Sequence, residues 1–248
     1  MRVAALYDIH GNLPALEAVL REIRDAGVER VVIGGDVVAG PMPRETLACL
    51  ESFDIPMQFI QGNTDREVLA SMKGTDPGTV PERFREVIRW VAQQLHPEHE
   101  RLLASWPPTL GLEIRGVGEV LFCHATPRND TEVFTRLTPD ERLLPVFEGV
   151  AASLVVCGHT HMQFDRTIGS VRVANAGSVG MPYGEPGACW LLLGPDVQFR
   201  RTEFDLAEAA ERIRATSHPQ AQEFVARNVL QRPSQEEVLE VFEKMALT

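Results

Sequence analysis

Three short apolar runs open this chain, and each gives out beside a glycine: Arg2–Tyr7 (RVAALY) before Asp8-Ile9-His10-Gly11, Arg30–Ile33 (RVVI) before Gly34-Gly35-Asp36, and Pro56–Ile60 (PMQFI) before Gly62-Asn63. Between the first two, Leu13, Leu16, Val19, Leu20 and Ile23 recur at helical spacing over Leu13–Ala26, and Gly27 sits where a helix C′ residue belongs. Strand, helix and strand within about 35 residues make a βαβ unit, which needs parallel strands and a right-handed crossover. A second helix is expected over Pro43–Ser52. These features commit the chain to an α/β (α+β) class.

The pattern changes after Asp65. Glu82–Leu95 puts Phe84, Val87, Ile88, Val91 and Leu95 on one face, and a short helix should follow His96-Pro97. Residues 65–105 therefore read as a helical insertion, able either to roof a site or simply to pack on the surface. Beyond Pro107-Pro108 the chain is strand-rich: Gly111–Arg115, Glu119–Cys123, Leu154–Cys157, Ser170–Ala174 and Ala188–Leu193. One helix interrupts them, with Thr138 as expected N-cap, Pro139 at N1 and Glu141 completing the box. Residues 205–248 form a helical tail. Its Ser234–Glu237 capping box opens a helix expected to turn Val238, Val241, Phe242 and Met245 inward. The whole chain, 1–248, reads as a single domain.

Five predicted strands end on residues of metal-ligand type. They are Asp8 and His10, Asp36, Asn63, His124, and His159 with His161. In open α/β sheets ligands sit beyond the carboxyl ends of the strands, so these residues should converge. Residues at i and i+2 in extended chain face the same way, which pairs Asp8 with His10 and His159 with His161. Taken singly, GD, GN and a lone histidine are common turn or core features. Together they supply two carboxylates, four imidazoles and an amide oxygen, too many for one tetrahedral zinc. A mixed N/O set without thiolate suits two divalent cations, Mn²⁺ favoured, with Fe, Zn²⁺, Co²⁺ or Ni²⁺ as alternatives. Paired ions of this kind drive hydrolytic displacement at phosphorus. The other three of the seven histidines, His96, His99 and His218, are expected on the surface.

The ordered set D-x-H, G-D, G-N, H and G-H-x-H resembles the calcineurin-like metallophosphoesterase superfamily. DIHGNLPALEAVL and NAGSVGMP (Asn175–Pro182) resemble its compact bacterial and archaeal phosphodiesterase branch. The resemblance implies a double β-sandwich flanked by helices, with two metals at its edge. Asp8, His10, Asp36 and His161 would hold one; Asp36, Asn63, His124 and His159 would hold the other. Asp36 would bridge the two and position a bridging hydroxide that attacks phosphorus. Many relatives carry a histidine after the G-N asparagine as a phosphate contact and acid. Thr64 stands there in this chain, with Asp65 as the substitute acid only if its pKa is raised. Activated or aryl diesters should then react better than alkyl monoesters. Asn12, Asn175 and Ser178 are candidate phosphate contacts, with tight-turn roles as the alternative.

The leading expectation is thus a metal-dependent phosphodiesterase on a small-molecule or nucleotide ester. The alternatives are a non-catalytic protein-binding scaffold of the same fold, a phosphomonoesterase, or a nuclease. A net charge of −11 weighs against polymeric nucleic acid and anionic membrane as partners. No apolar run reaches the roughly 20 residues that span a bilayer. The four cysteines lack C-x-x-C spacing, and no secretory signal opens the chain, so a reducing cytoplasm is the expected location.

Overall fold

The computed structural model describes residues 1–75 and 80–247. One sheet contains β1 (Val3–Leu6), β2 (Arg30–Ile33), β3 (Met57–Phe59), β9 (Ala188–Leu193) and β10 (Val197–Thr202), in the order β10-β9-β1-β2-β3. β1 and β2 pair in parallel, as do β2 and β3, with α1 (Leu13–Asp25) crossing between the first two. The second sheet contains β4 (Thr109–Ile114), β5 (Gly118–Cys123), β6 (Leu154–Cys157), β7 (Phe164–Ile168) and β8 (Val171–Asn175), ordered β4-β5-β6-β8-β7.

Alternation along the strands assembles the layers. Val3, Ala5 and Tyr7 face Phe122, Leu154, Val156 and Ala174 between the two sheets. Ala4, Leu6, Val31 and Ile33 face Leu16, Val19 and Ile23 of α1 on the outside of the first sheet. On the outside of the second, Val155, Cys157 and Val173 meet Leu143, Val146 and Phe147 of α6 (Asp140–Phe147). The result is a double β-sandwich with helices on both outer faces, as the family resemblance implied.

The helical insertion consists of α3 (Asn63–Met72), α4 (Glu82–Gln94) and α5 (Pro97–Ser105). Val68, Val87, Ile88, Val91 and Leu103 are buried in the same cluster as α1 and α2 (Pro43–Glu51), so the insertion packs on the first sheet. The first turn of α3 reaches the strand ends, where Thr64 N donates to Asp36 and Asn63 meets His124.

Several local expectations are corrected. Thr138 does not cap α6, which Pro139 precedes without a side-chain cap. The Thr138 hydroxyl instead accepts from Thr135 N and donates to Glu243 of the tail. The tail is α7 (Leu206–Arg214), α8 (Ala221–Phe224) running into a π-helical turn over Val225–Leu230, and α9 (Gln235–Met245). The Ser234–Glu237 capping box forms, but α9 is rotated from the expected orientation. Leu239 and Ala246 are buried while Val241 and Met245 are 54% and 58% exposed, because Glu243 must face Thr135 and Thr138. His218 lies inside, 6% exposed, between the rings of Trp90 and Phe224. β7 and β10, absent from the sequence reading, are outermost strands whose charged residues dilute any apolar signal. Cys123, Cys157 and Cys189 are buried and Cys49 half-buried, all as free thiols. Among the described residues no helix is long and apolar enough to cross a membrane.

Candidate metal centre

The C-terminal ends of β1, β2, β5 and β6 and the start of α3 meet at one edge of the sandwich. Backbone conformation marks the place. Asp8, His10, Asp36, His159 and His161 hold φ between 47° and 64°, and they are the only non-glycine residues with positive φ among those described. Left-handed backbone costs a non-glycine residue of order 1–3 kcal/mol and persists where surrounding structure demands it. Here five such residues share one site.

Each carboxylate is tied by one oxygen and presents the other. Asp8 Oδ2 accepts from His159 N at 2.9 Å, while Asp8 Oδ1 is fully buried with no hydrogen-bond partner. Asp36 Oδ1 accepts from Thr64 N at 2.9 Å, leaving Oδ2 3.5 Å from His124 Nε2 and 3.7 Å from His10 Nε2. Two glycines permit these approaches. A Cβ on Gly158 would lie 2.4 Å from Asp8 Oδ2, and one on Gly62 would lie 2.2 Å from Asp36 Oδ1.

The imidazoles are oriented from behind. Nδ1 of His10, His124 and His161 lies 3.2, 2.9 and 3.0 Å from the carbonyls of Ala39, Gly34 and Met181. A carbonyl can only accept, so these Nδ1 atoms carry the proton and donate, and Nε2 points inward. His10 Nε2 and His161 Nε2 stand 3.2 Å apart, and His161 Nε2 is 3.3 Å from Asp8 Oδ1. His124 Nε2 is 2.9 Å from Asn63 Oδ1, and the His159 ring packs edge-on against that of His124. Two triads have ligand atoms close enough to share an ion: Asp8, His10 and His161, and Asp8, Asp36 and His124. The donor set fits divalent cations. A buried carboxylate oxygen without a partner, facing imidazole nitrogens, is the arrangement that bound cations satisfy.

Electrostatics follow from the same crowding. Burial works against ionisation of Asp8 and Asp36, but neighbouring histidines more than offset it and lower both carboxyls. Burial also opposes charge on His124, yet Asp36 and Asp8 raise its pKa to about 10. Desolvation and then the neighbouring His124 lower His159, which is half-buried, to about 4.

The other expected site residues stand one layer back. Asp65 is fully buried; its oxygens accept from the amides of Val37, Val38 and Gly62. It braces the Asp36 loop against the Asn63 loop and has no exposed edge from which to protonate a leaving group. Burial and then Asp36 raise its pKa to about 7, against the pull of those amides. Asn12 caps α1 and donates to Gly180 O, Asn175 donates to Gly158 O and accepts from Gly177 N, and Ser178 donates to Asp8 O. All three are fully buried and hold loops in place. Thr64 Oγ1 lies beside the centre, buried and without a partner. The sequence reading missed Tyr183, whose ring stacks on His161 with centroids 5.8 Å apart. An aromatic residue directly after the Asn175–Pro182 motif was its only signal.

Known proteins resemble this chain over most of its length. The chain is 28% identical over 232 residues to an uncharacterized protein of Methanocaldococcus jannaschii, covering 85% of this chain and 91% of that one. It is 27% identical over 206 residues to the phosphodiesterase YfcE of Escherichia coli, covering 79% and 89%. A metallophosphoesterase from Sphaerobacter thermophilus superposes with a TM-score of 0.67 at 27% identity, over 92% of this chain and 98% of that one. A hypothetical protein from Pyrococcus horikoshii shares the fold at a TM-score of 0.79 and 21% identity, over 94% and 99%. Residues 1–195 match the calcineurin-like phosphoesterase superfamily domain, and the chain belongs to that superfamily.

Proposed function

We propose that the chain is a phosphodiesterase on a small-molecule or nucleotide ester, using two divalent cations, Mn²⁺ favoured. Asp8, His10, Asp36, Asn63, His124, His159 and His161 would hold them. The observation that carries this reading is the pair of inward carboxylate oxygens, Asp8 Oδ1 and Asp36 Oδ2, ringed by imidazole nitrogens and bound by no amide. Two such cations supply an activated water at neutral pH and offset charge on phosphoryl oxygens.

The chain's own part is orientation. Ala39, Gly34 and Met181 carbonyls fix the imidazoles, and Asp65 locks the two loops that bring Asp36 and Asn63 together. No acid is free in the first turn of α3: Thr64 is a hydroxyl and Asp65 is sealed. A departing alkoxide therefore gains no proton there, whereas a nitrophenolate needs none. In the same reading residues 1–248 form one domain, since Arg212 of the tail pairs with Glu17 of α1 at 2.7 Å.

The test compares bis-p-nitrophenyl phosphate with glycerol phosphate in the presence of Mn²⁺. The diester should turn over faster by on the order of a hundredfold. Equal rates would refute the leaving-group argument, and no turnover of any ester would favour a scaffold.

A further inference from the structure

The C-terminal helix lies beyond the matched family region, yet it reaches the metal centre through one aromatic contact. Phe242 of α9 meets Tyr183 with centroids 6.2 Å apart at 67°, and the other side of that contact is the stack of Tyr183 on His161, 24° from parallel. Independent ties hold α9 there. Pro233 O accepts from Gly184 N, Glu243 accepts from Thr135 and Thr138, Gln235 accepts from Arg136, and Leu247 N donates to Val133 O.

Tyr183 is not used as a strut. Its hydroxyl has no hydrogen-bond partner among the described residues, whereas buried structural tyrosines normally tie that group down, as Tyr7 does to Val156 O. The residue keeps partial exposure beside ligands that are themselves nearly closed off. Of the arginines in the flanking segments, Arg66 pairs with Asp130 and Arg128 with Glu132, while Arg227 meets Glu223 only at 3.6 Å in an exposed pair. Tyr183 therefore gives the rim an aromatic surface directly beside His161.

Resting on the phosphodiesterase reading, we infer that Tyr183, positioned by Phe242 of the C-terminal helix, forms the wall that binds a planar ring on one ester arm. The substrate class is then a phosphodiester with an aryl or nucleoside arm. Stacking of a base on an aromatic side chain is strong enough to give about tenfold or more in specificity.

Two esters with the same leaving group isolate this contribution: thymidine 5′-(p-nitrophenyl phosphate) and ethyl p-nitrophenyl phosphate. The quantity read is the ratio of kcat/KM for the first over the second, with Mn²⁺ present. The ratio should fall about tenfold in Tyr183→Leu and in Phe242→Ala and be retained in Tyr183→Phe. Tyr183→Leu keeps an apolar side chain against His161, and a ratio cancels any general loss of active protein. An unchanged ratio in both Tyr183→Leu and Phe242→Ala, with turnover intact, would overturn this inference alone. No turnover of either ester by the wild type would overturn the phosphodiesterase reading and this inference with it.

Discussion

Asp65 shows how much of the centre depends on a residue that touches no ion. Its carboxylate gathers three amides from two loops, one leading from Asp36 and one leading to Asn63. Asparagine there would keep an acceptor but turn an NH₂ group toward at least one N–H. Asp65→Asn should weaken Mn²⁺ binding by about 10–100-fold, the usual cost of losing an outer support of a metal site. Titration calorimetry reads this directly, and unchanged affinity would contradict the bracing role. His218 makes a different statement. Burial lowers its pKa to about 4, against about 6.5 in an unfolded chain. Between those values the unfolded state takes up a proton that the folded state refuses. Stability is therefore fully present above about pH 6.5 and falls as pH drops toward 4. His218→Asn should flatten that acid slope in urea melts taken from pH 7 to 4.5; an unaltered slope would show that His218 does not carry it. The candidate ligand residues stood out in sequence because each follows an apolar run directly or after one or two glycines. Asn12, Asn175 and Ser178 were ambiguous because a buried loop brace and a phosphate contact use the same residue types.

Loops and short elements set the geometry that side chains alone cannot. Gly62 caps α3 against Asp36, with room for hydrogen and nothing larger. Gly62→Ala should push Asp36 aside and lower Mn²⁺ affinity by at least about tenfold, since ligand placement within a fraction of an ångström is required. Gly111→Ala on β4, where an added Cβ meets nothing within 4 Å, is the matched control and should leave affinity unaltered. Equal behaviour of the two variants would contradict the close-approach argument. The first βαβ unit and the buried strands β5, β6 and β9 were readable from apolar runs. β7 and β10 were not, since Asp165, Arg166, Arg200 and Arg201 sit in outermost strands with one face to solvent. The rotation of α9 was equally hidden, because Glu243 docks it through Thr135 and Thr138, more than 100 positions earlier in the chain.

The molecule as a whole combines a net charge of −11 with a centre built to bind cations. Global acidity repels polyanions, while Asp8 and Asp36 concentrate negative charge where divalent ions would offset it. The strand ends of both sheets and the first turn of α3 meet at that edge, the tail touches it through Phe242 and Tyr183, and five candidate ligand positions there hold left-handed backbone. We expect the seven residues to bind two cations and hydrolysis to depend on both. The most direct test is a Mn²⁺ titration of chelator-treated protein, following hydrolysis of bis-p-nitrophenyl phosphate alongside Asp36→Asn. Activity should be absent without metal, rise to a plateau at two Mn²⁺ per chain, and be lower by on the order of a hundredfold or more in Asp36→Asn. Turnover that survives chelation, or that Asp36→Asn leaves untouched, would contradict the account.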